Sequence, residues 1–361
     1  MAHIQLKNIT KTFGRHTALK DLNLDIEDGQ FFVLLGETGA GKTTTLRLIA
    51  GLERPTSGQI FIDGVDVADW GTAERDVALV LQQYSLYPRY TVKENLEFPL
   101  KSKLRRVPDG EIKERVAKAA KTLRIEHLLE RKTDRLSGGE MQRVSIGRAI
   151  VRKPRVFLMD EPLSALDAKL RESLRTELKD LQRRLGATFL FVTHDQIEAM
   201  SMGDMVGVLN HGRLVQTGSP KDIYDNPRDT FVASFVGSPP MNLIQGKLSK
   251  GRAVFAAKVF ELPYDGAAKA GVTTDDRPLT FGIRPEDVAL EADGPVEARV
   301  HDVENHGVEK IVTLKVGDAT LRATAPARMP LEIDQDVRFG WNPQKVALFD
   351  RATGVSLRHA V

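Results

Sequence analysis

The chain has 361 residues, 41% of them hydrophobic and 28% charged, which is the balance of a folded protein of two or three domains and excludes a disordered or membrane-spanning chain. Its 52 Lys and Arg stand against 49 Asp and Glu, a formal charge of +3, so nothing calls for a nucleic-acid partner and none is expected. With no cysteine, disulfides, thiol catalysis and thiolate metal sites are excluded.

The N-terminus has no basic segment followed by an apolar one, so no secretory signal is read and the expected compartment is the cytosol. Residues 1–235 alternate short β-rich runs with helical patterns, which predicts an α/β architecture around a largely parallel sheet. Strands are read at 31–35, 60–62, 77–81, 156–159 and 188–192; the last two are apolar enough to be buried on both faces. The apolar run at 187–193 is far short of the roughly 20 residues that a bilayer span needs. Residues 91–150 carry Lys, Arg, Glu, Ala and Leu at helical spacing and read as an inserted helical subdomain. After Gly237, Ser238, Pro239 and Pro240, alternating runs at 296–300, 310–315 and 320–324 are separated by Gly, Pro and Asp. They predict a small all-β barrel domain over 236–361.

Between the run at 31–35 and a helical segment at 44–52, the sequence Gly36, Glu37, Thr38, Gly39, Ala40, Gly41, Lys42, Thr43 fits G-x-x-x-x-G-K-[ST]. Glycines let successive backbone N–H groups turn inward and cradle phosphates at a helix N-terminus. A phosphate-bearing ligand is expected: Thr38, Gly39, Gly41, Lys42, Thr43 and Thr44 are the candidate contacts, with Lys42 on the β and γ phosphates and Thr43 on Mg²⁺. The alternative is a glycine-rich turn without a ligand. Residues 155–159 form an apolar strand that ends in Asp160 and Glu161. After a phosphate loop, Asp160 would hold Mg²⁺ and Glu161 would polarise an attacking water; the alternative is a solvated corner.

Leu136, Ser137, Gly138, Gly139 and Glu140, with Gln82, the tetrad Ser164, Ala165, Leu166, Asp167, and His194, resemble the motifs of the ABC ATPase family in their family order. The resemblance implies that Ser137, Gly138, Gly139 and Glu140 meet ATP held by an opposing subunit. Ser137 and Glu140 also satisfy a helix-capping box, and both roles are compatible. It further implies that Gln82 senses Mg²⁺ and water, that Asp167 lies at the nucleotide interface and that His194 contacts the γ-phosphate. Phe13 is either an adenine platform or a packing ring, and Arg131 either reaches nucleotide across the dimer or is a surface cation. Leu86, Tyr87 and Pro88 are expected to line a groove for a helix of the membrane partner.

Within the family the resemblance is to carbohydrate importer ATPases of the maltose and glycerol-phosphate type, whose C-terminal domain holds paired oligonucleotide-binding-type barrels. It implies a peripheral subunit at the cytoplasmic face of the cell membrane that energises uptake of a sugar, polyol or glycerol-phosphate-like solute. Its partners would be two transmembrane permease subunits and, indirectly, an external solute-binding protein. Importers of polyamines, iron or sulfate are alternatives, and a soluble ABC ATPase acting on DNA or ribosomes is a more distant one. Glu37 stands where Pro is common and Glu140 where Gln is usual, so the second ATPase subunit is either another copy of this chain or a paralogue.

Overall fold

The structure, a computed structural model, describes residues 2–102, 107–164, 166–249, 252–255, 262–263, 278–317 and 319–358. Ala165 of the tetrad ending at Asp167 lies outside the described residues. The chain divides into two compact units, Met1–Pro220 and Lys221–Val361.

In chain order the first unit contains β1 (Ile4–Phe13), β2 (His16–Ile26), β3 (Phe31–Gly36), α1 (Lys42–Ala50), β4 (Ser57–Ile62), β5 (Val65–Asp66) and β6 (Val77–Val80). It continues through α2 (Val92–Glu97), α3 (Asp109–Thr122), α4 (Gly138–Ile150), β7 (Val156–Asp160), α5 (Ala168–Leu185), β8 (Thr188–Thr193), α6 (Gln196–Met202), β9 (Met205–Asn210) and β10 (Arg213–Gly218).

Six strands form the central sheet in the order β10-β9-β3-β8-β7-β6, parallel throughout except for the β9–β10 hairpin. Every residue of β3, β7 and β8 is buried, because a parallel sheet is covered on both faces. On one side lies a feature that the sequence reading did not separate out, an antiparallel sheet ordered β2-β1-β4-β5. Its inward residues Ile4, Leu6, Leu24, Ile26 and Ile60 share one core with Phe32, Leu34, Leu158 and Leu190 of the central sheet. On the other side Phe189 stacks between Phe157 (ring centroids 4.6 Å) and Phe31 (5.4 Å), and Leu174, Leu178 and Leu181 of α5 are buried. The inserted helices α2 to α4 fall between β6 and β7. α2 starts on a capping box in which Thr91 and Glu94 satisfy each other's backbone N–H groups.

The second unit begins with α7 (Pro220–Asp225) and α8 (Thr230–Phe235), followed by β11 (Asn242–Ser249), β12 (Arg252–Phe255), β13 (Leu262–Pro263), β14 (Pro278–Ile283) and β15 (Val288–Leu290). β16 (Val296–Asn305), β17 (Glu309–Val316), β18 (Ala319–Pro326), β19 (Asp336–Trp341) and β20 (Ala347–Asp350) complete it. Two five-stranded antiparallel sheets, β13-β12-β11-β14-β20 and β15-β19-β16-β17-β18, close on a common core that includes Phe281, Val300, Leu314, Phe339 and Leu348. The edge strands β15 and β18 of the second sheet approach each other, so that sheet is nearly a closed barrel.

The division at 220/221 falls earlier than the change of texture near 236. One contributor is Arg284, which is buried in the second unit and needs acceptors for its guanidinium. It takes the carbonyls of Tyr224 (2.7 Å), Ala233 (3.4 Å) and Val236 and lies 3.9 Å from the Tyr224 ring centre. Residues 221–236 are thereby fixed to the β-rich unit, which a local pattern does not reveal.

Replacing Phe189 with Ala removes the middle ring of the Phe157–Phe189–Phe31 stack. The expected loss is about 3–5 kcal/mol, read as a lower urea midpoint for the first unit. An unchanged midpoint would show that the stack does not carry that unit's stability.

Candidate functional site

The phosphate-type loop joins β3 to α1, and its conformation depends on Gly41. This residue is the N-cap of α1 at φ 109°, and a Cβ there would lie 2.7 Å from Leu19 Cδ2 and 2.8 Å from the Ala18 carbonyl oxygen. Lys42 follows as the first helical residue and is only 5% exposed. Its ammonium donates to the carbonyls of Gly36 (2.9 Å) and Glu37 (3.0 Å) and lies 3.2 Å from Glu161 Oε1. Beside it the Thr43 hydroxyl donates to Asp160 Oδ1 at 3.0 Å. Thr38 and Gly39 are exposed at the loop tip, and Thr44 is half-buried in the first turn of α1.

Asp160 ends β7, and Glu161 follows it in the left-handed region at φ 42°, held by its N–H on the Val192 carbonyl of β8 at 3.0 Å. A side chain in that conformation costs of order 1–3 kcal/mol, so the surroundings must over-determine it. They do: Glu161 Oε2 meets His194 Nδ1 at 2.9 Å while Oε1 faces Lys42. Thus Lys42, Thr43, Asp160, Glu161 and His194 converge at the C-terminal ends of three neighbouring strands, β3, β8 and β7. Burial pushes the Asp160 carboxyl up from its ordinary value, and the adjacent Glu161 adds to the effect against the Thr43 hydrogen bond. A buried carboxylate beside a threonine hydroxyl is the donor pair a hard divalent cation takes, and Mg²⁺ fits it.

Gln82, beyond β6, donates to Ser164 Oγ at 3.3 Å, and Ser164 donates to the Glu161 carbonyl at 2.9 Å. It therefore reaches the Glu161 loop; among the described residues no hydrogen bond joins it to Thr43 or Asp160. Ser164 is a bridge that the sequence reading placed only within the Asp167 tetrad. Asp167 is exposed and caps α5, accepting from the Leu170 N–H at 3.0 Å.

Ser137 caps the 13-residue α4 through a reciprocal box: Glu140 Oε2 accepts from Ser137 N (2.7 Å) and Oγ (2.9 Å), and Ser137 Oγ accepts from Glu140 N (3.4 Å). Gly139 is buried under Leu170, and a Cβ there would lie 2.1 Å from Leu170 Cδ2. Gly138 is half-buried next to it. The Arg131 guanidinium is 3.7 Å from Glu140 Oε1. Among the described residues no hydrogen bond or ion pair links residues 137–140 to residues 36–43, so one chain does not bring the two loops together. Phe13 is 42% exposed with the Lys11 ammonium 4.6 Å from its ring centre, an open ring and not a core one.

An apolar cleft of about 430 Å³ is bounded by Ala50, Leu52, Leu79, Pro99 and Arg152. Leu86, Tyr87 and Pro88 are not among its lining residues. The Tyr87 ring instead packs on Phe98 (4.4 Å) and under the Arg148 guanidinium (4.7 Å), with Phe98 itself partly exposed.

Residues 19–164 match the family model described as ABC transporter, residues 237–288 the MalK OB fold domain and residues 281–349 the TOBE domain. The chain is 46% identical to the trehalose/maltose import ATP-binding protein of Thermococcus litoralis over 99% of its own length and 100% of that protein's. It is also 46% identical to the sn-glycerol-3-phosphate import ATP-binding protein of Brucella abortus, over 97% of each chain. A solved dimer of an ATP-binding cassette bound to ADP and Pi superposes with a TM-score of 0.55 at 34% identity, covering 60% of this chain and 98% of that one.

Because burial raises the folded-state pKa of Asp160, its ionisation destabilises the fold as pH rises above the ordinary carboxylate range. Asp160→Asn keeps an acceptor for Thr43 and removes that charge, so without divalent cations the variant is expected to melt above the parent at pH 7 and level with it near pH 4. A lower melting temperature at pH 7 would contradict the assigned burial cost.

Proposed function

This chain belongs to the ABC transporter family, and from that membership we propose that it is the ATP-hydrolysing subunit of an importer, energising uptake of a sugar, polyol or glycerol-phosphate-like solute. The observation that carries the reading is the convergence of Lys42, Thr43, Asp160, Glu161 and His194 at one end of the central sheet. The full-length likeness to proteins named for trehalose/maltose and glycerol-3-phosphate import supports the solute class.

In this reading the backbone N–H groups of residues 38–43 and the Lys42 ammonium hold the phosphates of ATP. Thr43 and Asp160, with Gln82 nearby through Ser164, hold Mg²⁺, whose charge offsets that of the phosphates. Lys42 contacts Glu161 in the structure; once it turns to the phosphates, Glu161 is left with His194 and is free to take a proton from water. The exposed ring of Phe13 serves as the adenine platform.

The loop at Ser137, Gly138, Gly139 and Glu140 does not reach the phosphate loop of its own chain, so a second ATPase subunit completes the site, with Arg131 and Asp167 at the same face. The solved dimeric cassette supports that arrangement. Because Glu140 is already bonded to Ser137 and faces Arg131, its charge is compensated locally, and another copy of this chain serves as the partner. No helix among the described residues is long and apolar enough to cross a membrane. In this reading the solute path belongs to two permease subunits, as the likeness to import ATP-binding proteins supports. The cleft at Leu52, Leu79 and Pro99 receives them from the cytoplasmic side, with Leu86, Tyr87 and Pro88 as a further docking surface beside Phe98; an external solute-binding protein acts only through those subunits. The β-rich second unit has a dimerising or regulatory role.

Glu161→Gln is expected to retain ATP binding while lowering turnover by about 10²–10⁴-fold, measured in the purified chain. Lys42→Ala should instead weaken nucleotide binding itself. Near-parental turnover in the first variant, or unchanged affinity in the second, would overturn the assigned roles.

A further inference from the structure

His194 is exposed just after β8, and among the described residues its side chain is fixed by the contact to Glu161. Its two neighbours are fixed. The Thr193 hydroxyl donates to Glu198 Oε2 at 2.5 Å and accepts from the Asp195 N–H at 2.9 Å. Asp195 Oδ1 caps α6, accepting from Ile197 N at 2.8 Å and Glu198 N at 3.3 Å. Its other oxygen, Oδ2, accepts from Arg171 Nη1 at 3.2 Å.

Arg171 stands in the first turn of α5. Its other terminal nitrogen, Nη2, donates to the Leu166 carbonyl at 3.2 Å, immediately before Asp167. The Nε is buried, has no hydrogen-bond partner among the described residues, and lies 4.0 Å from Glu198 Oε1. One planar guanidinium therefore clamps the segment leading into Asp167 to the segment leading out of His194, with Glu198 behind both. A lysine offers one point charge and does not span the two acceptors in the same geometry.

We infer that Arg171 is a positioning residue for hydrolysis: it ties the Asp167 loop, which faces the second subunit, to the segment that carries His194, and so keeps that histidine against Glu161. The inference rests on the reading of Glu161 and His194 as the hydrolytic pair. It assigns to Arg171 no contact with nucleotide, so binding and turnover should separate. The neighbouring Asp195 supplies the control, because Asn is as good a helix cap as Asp but gives up the charge-assisted bond to Arg171.

The test is steady-state ATPase kinetics on the full-length chain carrying Arg171→Gln, Arg171→Lys, Asp195→Asn or the Arg171→Gln/Asp195→Asn pair, with melting temperatures alongside. Arg171→Gln should lower kcat by about ten- to hundred-fold, as small misplacements of catalytic groups do, with the KM for ATP within about two-fold of the parent. Arg171→Lys should recover little of the loss, and the double variant should be no slower than the worse single one, as expected for one shared interaction. Unchanged kcat in Arg171→Gln, full rescue by lysine, or losses that multiply in the double variant would each overturn the inference. A parent activity that Glu161→Gln leaves intact would instead overturn the reading of the site.

Discussion

A buried ammonium is the constraint around which the site is organised. Lys42 is almost wholly removed from water, and an ion so placed must be ringed by acceptors or give up its charge. Two of its acceptors are carbonyls of the loop that leads into its own helix, which forces the chain to turn back on itself and requires the left-handed Gly41. The third is the Glu161 carboxylate, which arrives from β7, two strands away from β3. The sheet order is thereby tied to one charge: β8 must lie between β3 and β7, and it is the strand that delivers His194.

The same neighbourhood carries a cost in Asp160. Burial disfavours its ionised form, and the adjacent Glu161 is a second negative charge, while Thr43 and the Lys42 and Arg47 cations favour it. A fold under selection for stability alone would put an apolar residue there, as β3 and β8 do in their buried positions. An unfavourable carboxylate held by a rigid strand next to a hydroxyl and an ammonium is the pattern of a site prepared for a cation and phosphates. The strained φ of Glu161 belongs with it, since a relaxed backbone would aim that carboxylate elsewhere.

The parts of the molecule legible in the sequence are those whose meaning is contiguous. Gly36 to Thr43 announces itself because the loop's backbone makes the cradle, and residues 156–161 do so because an apolar strand ends in two carboxylates. Ser137 and Glu140 are legible for the same reason, as reciprocal caps within one turn. Contacts made across the chain were not legible. The sheet β2-β1-β4-β5 is assembled from strands separated by the phosphate loop and α1, and nothing local distinguishes β1 from an edge of the central sheet. Tyr87 reads as a partner-facing aromatic, and its packing on Phe98 and under Arg148, which come from α2's far end and from α4, is a contact that no local pattern announces. Arg171 looks like one more cation on a charged 18-residue helix, and only the return of the chain through β8 gives it Asp195 and Glu198.

In the proposed reading, the loop at Ser137 is a partly assembled site kept ready without its partner. Its backbone donors would be mobile if they were left to water, and binding would then have to order them at an entropic cost. Here Glu140 orders them in advance, accepting from both the N–H and the hydroxyl of Ser137, and the Ser137 hydrogen bond holds its carboxyl below the ordinary range, so the group stays ionised. An ionised carboxylate at a helix N-terminus satisfies the positive end of α4, which favours order but sets a negative charge where a phosphate would approach. Arg131, on the other side of that carboxylate, offsets it. The loop thus presents a near-neutral pair in place of a bare anion. Removing either member alone changes the field at the interface, because Arg131 without Glu140 leaves a positive surface and Glu140 without Arg131 a repulsive one.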